Sequence, residues 1–513
     1  MPRYAAVDIG SNSVRLLVAE ADAHGPQLQV TRLAEDRQVT RLGESVFRNG
    51  SISETAMTEV CAVLERMRGI WQRHEVSGVR AVATSATRDA SNKEEFLRRA
   101  SQAIGTEIEV ISGQEEARLI QLGVQSRWPH PQERVLILDV GGGSAELILS
   151  EGGRLAAAYS RPLGAVRLQE SFLESDPPTP TQIDRMQDYI EEKLAPAIVG
   201  LSGKKVDRVI ATSSTAAALV SAARGIDRAR RAEADRQRAS RGEIRKLWGQ
   251  LRRLALAERR RIPGIGPRRA EIIIPGVAVF LSILEALRLP SLYYSAAGVR
   301  DGIVADLAFR RVGRDYAALS VEQRRAAQAL AKRFGVDVRH ARKIANLAQS
   351  LFMSLQPLHR LPVYFSKLLE AAAYLLDIGH AVSETAHHKH SYYIVAHADL
   401  PSFTESERQF VALLCRYHRK AMPSLRHADF QALRLEARHA LVLLIPILRL
   451  ANGLDRTGEI HVESVGCEIN DSRVILTLRS NLETSLEQWA VEQVAEPFRM
   501  VYNRELNVRV VRQ

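Results

Sequence analysis

Asp8 and Asp139 each follow a run of strand-forming residues and precede a cluster of small ones, in segments that read AAVDIGSNSVRLLV (5–18) and LILDVGGGSAELIL (136–149). One constant offset aligns Asp8 with Asp139, Gly10 with Gly141, Ser13 with Ser144 and Leu16 with Leu147. Small residues let backbone N–H groups approach anionic oxygens closely, so Gly141, Gly142, Gly143 and Ser144 offer a cradle for phosphate. A carboxylate at each strand end suits Mg2+, which takes oxygen ligands and keeps several waters. A tight turn without a ligand, or an aspartate that only caps a turn, leaves the same local pattern. A third segment, Val110-Ile111-Ser112-Gly113-Gln114-Glu115-Glu116, adds a candidate base. The S-x-x-E spacing of Ser112 and Glu115 predicts a capping box. That occupies Glu115 and leaves Glu116 turned about 100° round the helix. There it is set either to take a proton from an attacking water or to sit as a solvated first-turn glutamate favoured by the helix dipole.

These residues need a scaffold that brings distant segments together, and the repetition points to one. Each aspartate segment reads as a hairpin with a glycine-rich turn. A second pair, RAVATSAT (80–87) and RVIATSST (208–215), recurs at nearly the same spacing. Two motifs that appear twice in one order predict a duplicated α/β lobe, with a cleft between the copies. The lobes are expected over 1–124 and 125–308, with Asp8 and Asp139 facing each other. From about residue 315 the pattern turns helical, rich in Ala, Leu and Arg with few turn signals, which predicts a helical domain over 315–460. Residues 461–513 alternate apolar and polar and predict a small, β-rich α/β element at the C-terminal end.

Composition narrows the partners. A chain of 513 residues is expected to hold three or four domains of roughly 100–200 residues each. Its 46% hydrophobic and 25% charged content fits a globular protein with real cores. No window of about 18 apolar residues exists, which argues against a membrane helix, and no signal-peptide pattern is visible. Cys61, Cys415 and Cys467 are too scattered for a disulfide framework or a zinc site, so a reducing cytoplasm is the expected home. The formal net charge of +12 favours a polyanionic partner. The run from Arg224 to Arg269 holds sixteen Lys/Arg against five Asp/Glu; it reads as the solvated face of an amphipathic helix or as part of a polyanion surface. His387-His388-Lys389-His390 and Tyr417-His418-Arg419-Lys420 read either as a polyanion path or as solvated surface. No nucleic-acid reader motif occurs, and aromatics are only 5%, which argues against a nucleic-acid-binding protein.

Taken together, AAVDIGSNSVRLLV, ATSATRDASN, VISGQEEARL, LDVGGGSAEL and RPLGAVRL, in this order, resemble the exopolyphosphatase/guanosine pentaphosphate phosphohydrolase family of the actin-like, sugar-kinase-like superfamily. RRAEIIIPGVAVFLSILEAL and AAGVRDGIVADL are similar to the end of its second lobe, and the resemblance covers nearly the whole chain. It implies two actin-like (ribonuclease H-like) lobes followed by the HD-like helical domain of the family's longer members. It implies Glu116 as the base that activates water, Asp139 and Glu146 as acidic residues of a Mg2+ site that Asp8 joins, and Arg88 as a phosphate grip. Asn12, Ser13, Gly141 to Ser144 and Arg167 fall in its phosphate-contacting motifs. It leaves room for a monovalent cation such as K+ and for a homodimer. Ser214 stands where relatives often place glycine, and Glu271 where aspartate is common. In the helical half His340 matches the first ligand of an HD metal set. Leu376 before Asp377 and Asn452 replace two others, so a non-catalytic module is expected there. The implied activity is exopolyphosphatase, removal of the terminal phosphate of inorganic polyphosphate. Hydrolysis of guanosine pentaphosphate is the alternative within the class, and an actin-like kinase or scaffold the alternative outside it; no motif for a kinase acceptor pocket or base is visible.

Overall fold

The computed structural model describes residues 1–22, 28–311, 319, 321–400, 403–455 and 462–511. The chain forms two compact units, Met1–Val312 and Gly313–Gln513. The expected helical start near 315 and the expected division at 460/461 lie outside the described residues.

The duplication is visible in the strand topology of the first unit. Strands β1 (Arg3–Ile9), β2 (Ser13–Asp22), β3 (Gln29–Val39), β4 (Gly78–Ala83) and β5 (Ile108–Val110) form one sheet in the order β3-β2-β1-β4-β5. The first three are an antiparallel meander, and β4 and β5 extend it in parallel. Strands β6 (Arg134–Val140), β7 (Ala145–Glu151), β8 (Arg154–Arg161), β9 (Arg208–Thr212), β10 (Arg238–Ser240) and β11 (Ser291–Tyr294) form the second sheet in the order β10-β11-β9-β6-β7-β8. Again a meander, β6-β7-β8, is extended in parallel by β9 and β11, with β10 added antiparallel at the edge. The repeated segments are thus the hairpins β1-β2 and β6-β7 and the strands β4 and β9.

The inner strands of both sheets are covered on both faces, which is why β1, β6 and β7 read as unbroken apolar runs rather than alternating ones. Along β1, Ala5, Val7 and Ile9 enter one core and Tyr4 and Ala6 another. Along β6, Leu136, Leu138 and Val140 divide in the same way from Val135 and Ile137. One cover of each sheet comes from the other repeat. The helix Gly113–Arg127, which follows β5, buries Ala117, Ile120 and Val124 against Val135, Ile137 and Ile148 of the second sheet. The helix Val299–Arg311, which follows β11, buries Ile303, Val304 and Ala308 against Tyr4, Ala6 and Leu17 of the first. The expected lobe division at 124/125 therefore falls inside a helix that packs Ala117, Ile120 and Val124 on the second sheet and Leu119 on the first.

The second unit has one core, to which the helices Val338–Ser354, Tyr364–Leu375, Glu405–Tyr417 and Leu435–Gly453 contribute their apolar faces. Strands β12 (Ser464–Ile469), β13 (Arg473–Arg479) and β14 (Glu505–Val511) form a small sheet in that order. The helix Ser485–Tyr502 makes the parallel crossover from β13 to β14. Val474, Leu476 and Leu478, alternate residues of β13, face the helical core. Among the described residues no helix is long and apolar enough to cross a membrane, and all three cysteines are free thiols.

Candidate active site

The two hairpin turns close identically. Gly10 N donates to Ser13 O at 3.1 Å and Gly141 N to Ser144 O at 3.0 Å. Each turn sets an aspartate near its strand end, Asp8 opposite Arg15 and Asp139 opposite Glu146, and both aspartates line one cleft of about 270 Å³. The turns touch. A Cβ on Gly142 would stand 3.0 Å from Ser11 Cβ and 3.1 Å from Asn12 N, and one on Gly143 would stand 2.5 Å from Ser85 Oγ. The glycines are first a packing requirement: only a bare backbone lets the second turn lie this close to the first. Asn12, Ser13 and Gly141 to Ser144 all line the cleft as a result.

Glu115 and Glu116 separate at the start of the helix Gly113–Arg127. Ser112 caps it, its Oγ accepting from Glu115 N at 3.2 Å. The reciprocal half of the expected capping box does not form, because the Glu115 carboxylate is drawn away into a buried ion cluster. It accepts from Arg80 Nη2 at 3.0 Å and from Arg118 Nε at 2.7 Å, and Asp306 binds both arginines. The cluster ties β4, this helix and the helix Val299–Arg311 together. It fixes the backbone from which Glu116 projects the other way, into the cleft. Glu116 is only 8% exposed, so it is not the solvated first-turn residue of the simpler reading. Its Oε2 has no hydrogen-bond partner, and Arg88 Nη1 stands 3.8 Å away.

Four carboxyl groups share this region, and burial raises all of them above the ordinary range. For Glu116, burial is reinforced by the charges of Glu146, Asp8 and Asp139 and opposed by Arg88. For Glu146, burial is reinforced by Asp139 and opposed by the hydroxyls of Ser144 and Ser160 and by Arg88. Asp8 is raised by burial against the pull of Arg15 and Arg300. Asp139 is raised by burial against the Thr212 hydroxyl, which donates to its Oδ2, and Arg15. Glu146 accepts from Ser160 Oγ at 2.9 Å through Oε1, while its Oε2 is buried without a partner. Crowded, desolvated oxygens with spare lone pairs form a donor set that a hard divalent cation fits.

The cleft also has a basic wall, built from residues scattered along the sequence and not singled out by its motifs. Arg15, Arg37, Arg231 and Arg300 line the cleft. A neighbouring concavity of about 440 Å³ shares Asn12, Arg37 and Arg231 with it and adds Arg228, Arg268 and Arg269. Among the described residues none of Arg15, Arg37, Arg231, Arg269 and Arg300 forms an ion pair with a carboxylate; Arg15 donates instead to Ser214 Oγ, Arg231 to Gly264 O, Arg269 to Thr215 Oγ1 and Arg300 to Leu16 O. Burial pushes Arg269 down to about 9, with repulsion from Arg15 and Arg231. Arg37 is pushed to about 8 by desolvation of its guanidinium and by its arginine neighbours, although the side chain as a whole is exposed. Arginine does not lose its proton in proteins, so these shifts express an unneutralised positive potential. One signal was legible: the offset that equates Asp8 with Asp139 also equates Arg15 with Glu146, a cation in one repeat for a carboxylate in the other. Ser214, the departure from glycine, accepts from Arg15 Nη2 at 2.9 Å.

The remaining candidates are placed differently. Arg88 lies beside Glu116 and donates to Ile111 O at 2.5 Å. Arg167 donates to Gly143 O at 2.8 Å and Ser85 Oγ at 3.1 Å, pairs with Asp89 and stacks on Phe47. It clasps the glycine turn to the first repeat and is not among the cleft-lining side chains. Glu271 pairs with Arg41 and Arg260 at the surface.

Duplicated sheets with exchanged helices, and an acidic and basic cleft at their facing turns, are the architecture of an actin-like phosphatase. The chain belongs to the Ppx/GppA phosphatase family, whose model matches residues 17–310, with the family's domain III matching 323–493. It is 26% identical over 482 residues to a guanosine-5'-triphosphate,3'-diphosphate pyrophosphatase of Photobacterium profundum, covering 93% of this chain and 92% of the relative. The crystal structure of the Aquifex aeolicus Ppx/GppA family member is similar with 29% identity and a TM-score of 0.52, covering 61% of this chain and 99% of that one. An exopolyphosphatase from Cytophaga hutchinsonii is similar with 25% identity and a TM-score of 0.55, covering 60% and 98%.

Proposed function

We propose that this chain is a Mg2+-dependent exopolyphosphatase that hydrolyses the terminal phosphoanhydride of inorganic polyphosphate. The observation that carries the reading is a cleft lined by Glu116, one carboxylate oxygen of which has no hydrogen-bond partner, and by a row of arginines that continues into the next concavity. A repeating polyanion matches such a row, each bound phosphate taking a charge-assisted hydrogen bond. Glu116 takes the proton of a water as its oxygen attacks the terminal phosphorus; the new P–O bond forms as the bridging P–O bond breaks. Phosphate and a chain one unit shorter leave. Arg88, at 3.8 Å from Glu116, would hold the transferring group. The turn amides of Gly142 to Ser144, with Asn12 and Ser13, cradle its oxygens, the Gly141 amide being engaged in closing the turn. Asp8, Asp139 and Glu146 are the residues that would hold the cation, whose charge offsets that of the phosphate oxygens.

The second reading is hydrolysis of guanosine pentaphosphate, favoured by the name and the 92% coverage of the Photobacterium relative. Against it, among the described residues the second concavity is lined by arginines, Asn12, Val39, Gly266 and Pro267, with no aromatic ring to stack a guanine there, Tyr294 lining the first cleft instead. The test is phosphate release from long polyphosphate and from guanosine pentaphosphate, compared by kcat/KM. Preference for the nucleotide overturns the first reading in favour of the second.

A further inference from the structure

The second unit brings together three metal-ligating side chains that the HD comparison does not predict. In that set Leu376 is fully buried in the apolar core, and His340 Nδ1 is hydrogen-bonded to Asp455 Oδ2 at 2.9 Å. Asp377 is joined instead by two histidines from other elements. Asp377 follows the helix Tyr364–Leu375, His387 opens the helix His387–His397, and His418 directly follows the helix Glu405–Tyr417. Their donor atoms all lie within 4.8 Å of one another. His387 Nε2 is 3.2 Å from His418 Nε2 and 3.9 Å from Asp377 Oδ1. Both histidines are 3% exposed, so His387 and His418 are neither a solvated surface nor the wall of an open polyanion path.

Proton placement sharpens the case. His418 Nδ1 lies 2.6 Å from the Cys415 carbonyl. A carbonyl only accepts, so Nδ1 carries the proton and Nε2 presents its lone pair to the cluster. This is how backbone carbonyls orient ligating histidines. His387 Nδ1 faces the Glu384 carbonyl at 3.4 Å and Arg419 Nη1 at 3.5 Å. With its proton toward Glu384, two Nε2 lone pairs and a carboxylate oxygen converge with no hydrogen among them. In the other tautomer His387 donates Nε2–H to His418, and that proton competes for the same space. The His380 ring stacks on His387 with centroids 3.8 Å apart, and its Nε2 stands 3.6 Å from Asp377 Oδ1.

We propose that Asp377, His387 and His418 bind one divalent transition-metal ion of the zinc class, pinning three elements of this unit. Two imidazole nitrogens and one carboxylate suit such an ion and not Mg2+ or Ca2+, which take oxygen ligands. Asp377 is the partly exposed member, so a fourth position for water opens on its side, next to His380.

The test uses the full-length chain, stripped with chelator and dialysed at neutral pH against Zn2+ or Co2+ with Mg2+ in excess. One ion per chain is expected by elemental analysis, with the visible absorption of four-coordinate Co2+ and a rise in Tm on adding Zn2+. Asp377→Asn and His387→Ala should each lose the stoichiometric ion, the Co2+ spectrum and the Tm response, while Glu146→Gln in the first unit keeps all three. Asp377→Asn leaves the buried ring pair intact, so it remains informative if circular dichroism shows His387→Ala misfolded. Failure of the folded wild type to take up an ion, or equal uptake by Asp377→Asn, overturns the proposal and assigns the contact to a proton shared by the two rings.

Discussion

Glu115 and Glu116 are neighbours on one helix, yet one is bound by two buried arginines and the other has a carboxylate oxygen with no partner. Their removal should therefore act in opposite ways. Glu115→Gln breaks a buried ion cluster, and taking one partner from such a cluster costs about 3–5 kcal/mol. Urea unfolding of the first unit should show that loss. Glu116→Gln removes a carboxyl that burial and its neighbours disfavour, so stability should hold or rise while kcat falls by about 10²–10⁴ with little change in KM. A Glu116→Gln enzyme with near-full activity would remove the base assignment.

The four carboxyl groups predict an inverted pH dependence of stability in chelated protein. A carboxyl whose folded pKa is raised binds more protons when folded than when unfolded, so stability falls as pH rises through that range. For Glu146 the range runs from the ordinary 4.5 to about 8. Tm followed by circular dichroism should drop across it without divalent cation. Glu146→Gln should flatten the drop, and so should Mg2+ if the cluster holds it. A Tm that rises over the same range would show that the carboxylates are stabilised by partners instead.

How much of this was legible in the sequence depends on what each residue answers to. The hairpins, their offset and the cleft between them followed from repetition, because Asp8 and Asp139 recur in the same local pattern. Glu116 could be singled out because Ser112 caps the helix through Glu115 N. The route of the Glu115 side chain was hidden, since Arg80 and Asp306 reach it only through tertiary packing. The exchange of the helices Gly113–Arg127 and Val299–Arg311 was hidden for the same reason: their apolar faces do not say which sheet they meet. The basic wall was concealed by scatter. Arg15, Arg37, Arg231, Arg269 and Arg300 come from both repeats, and only a fold can count them together.

That wall makes its own prediction. A hydrogen bond to a charged group is worth about 1.5–3 kcal/mol, so Arg268→Gln or Arg269→Gln, which line only the second concavity, should raise KM for long polyphosphate about tenfold or more. Loss of one phosphate contact should also flatten the plot of log affinity against log salt by about 0.7–0.9 per arginine. Rates on a substrate too short to reach the second concavity should change much less. Equal effects on short and long substrates would place these arginines at the reacting phosphate rather than along the chain.

The second unit predicts a separation of chemistry from grip. The first unit has its own sheets, cores and cleft, and the Aquifex relative forms a folded protein that matches only 61% of this chain. A chain ending at Val312 should therefore fold and should still release phosphate from short substrates. Residues 313–513 carry exposed cations, among them Lys389, Arg419 and Lys420, which attract a long polyanion by counterion release. The shortened chain should bind long polyphosphate more weakly, release it sooner between cleavages and show a shallower dependence on salt. Folding is checked by circular dichroism, and the full-length and shortened chains are then compared on long polyphosphate across a salt series. Identical affinities, identical product ladders and identical salt slopes would assign the second unit to stability or association instead, and would leave the arginine wall of the cleft as the whole of the polyanion site.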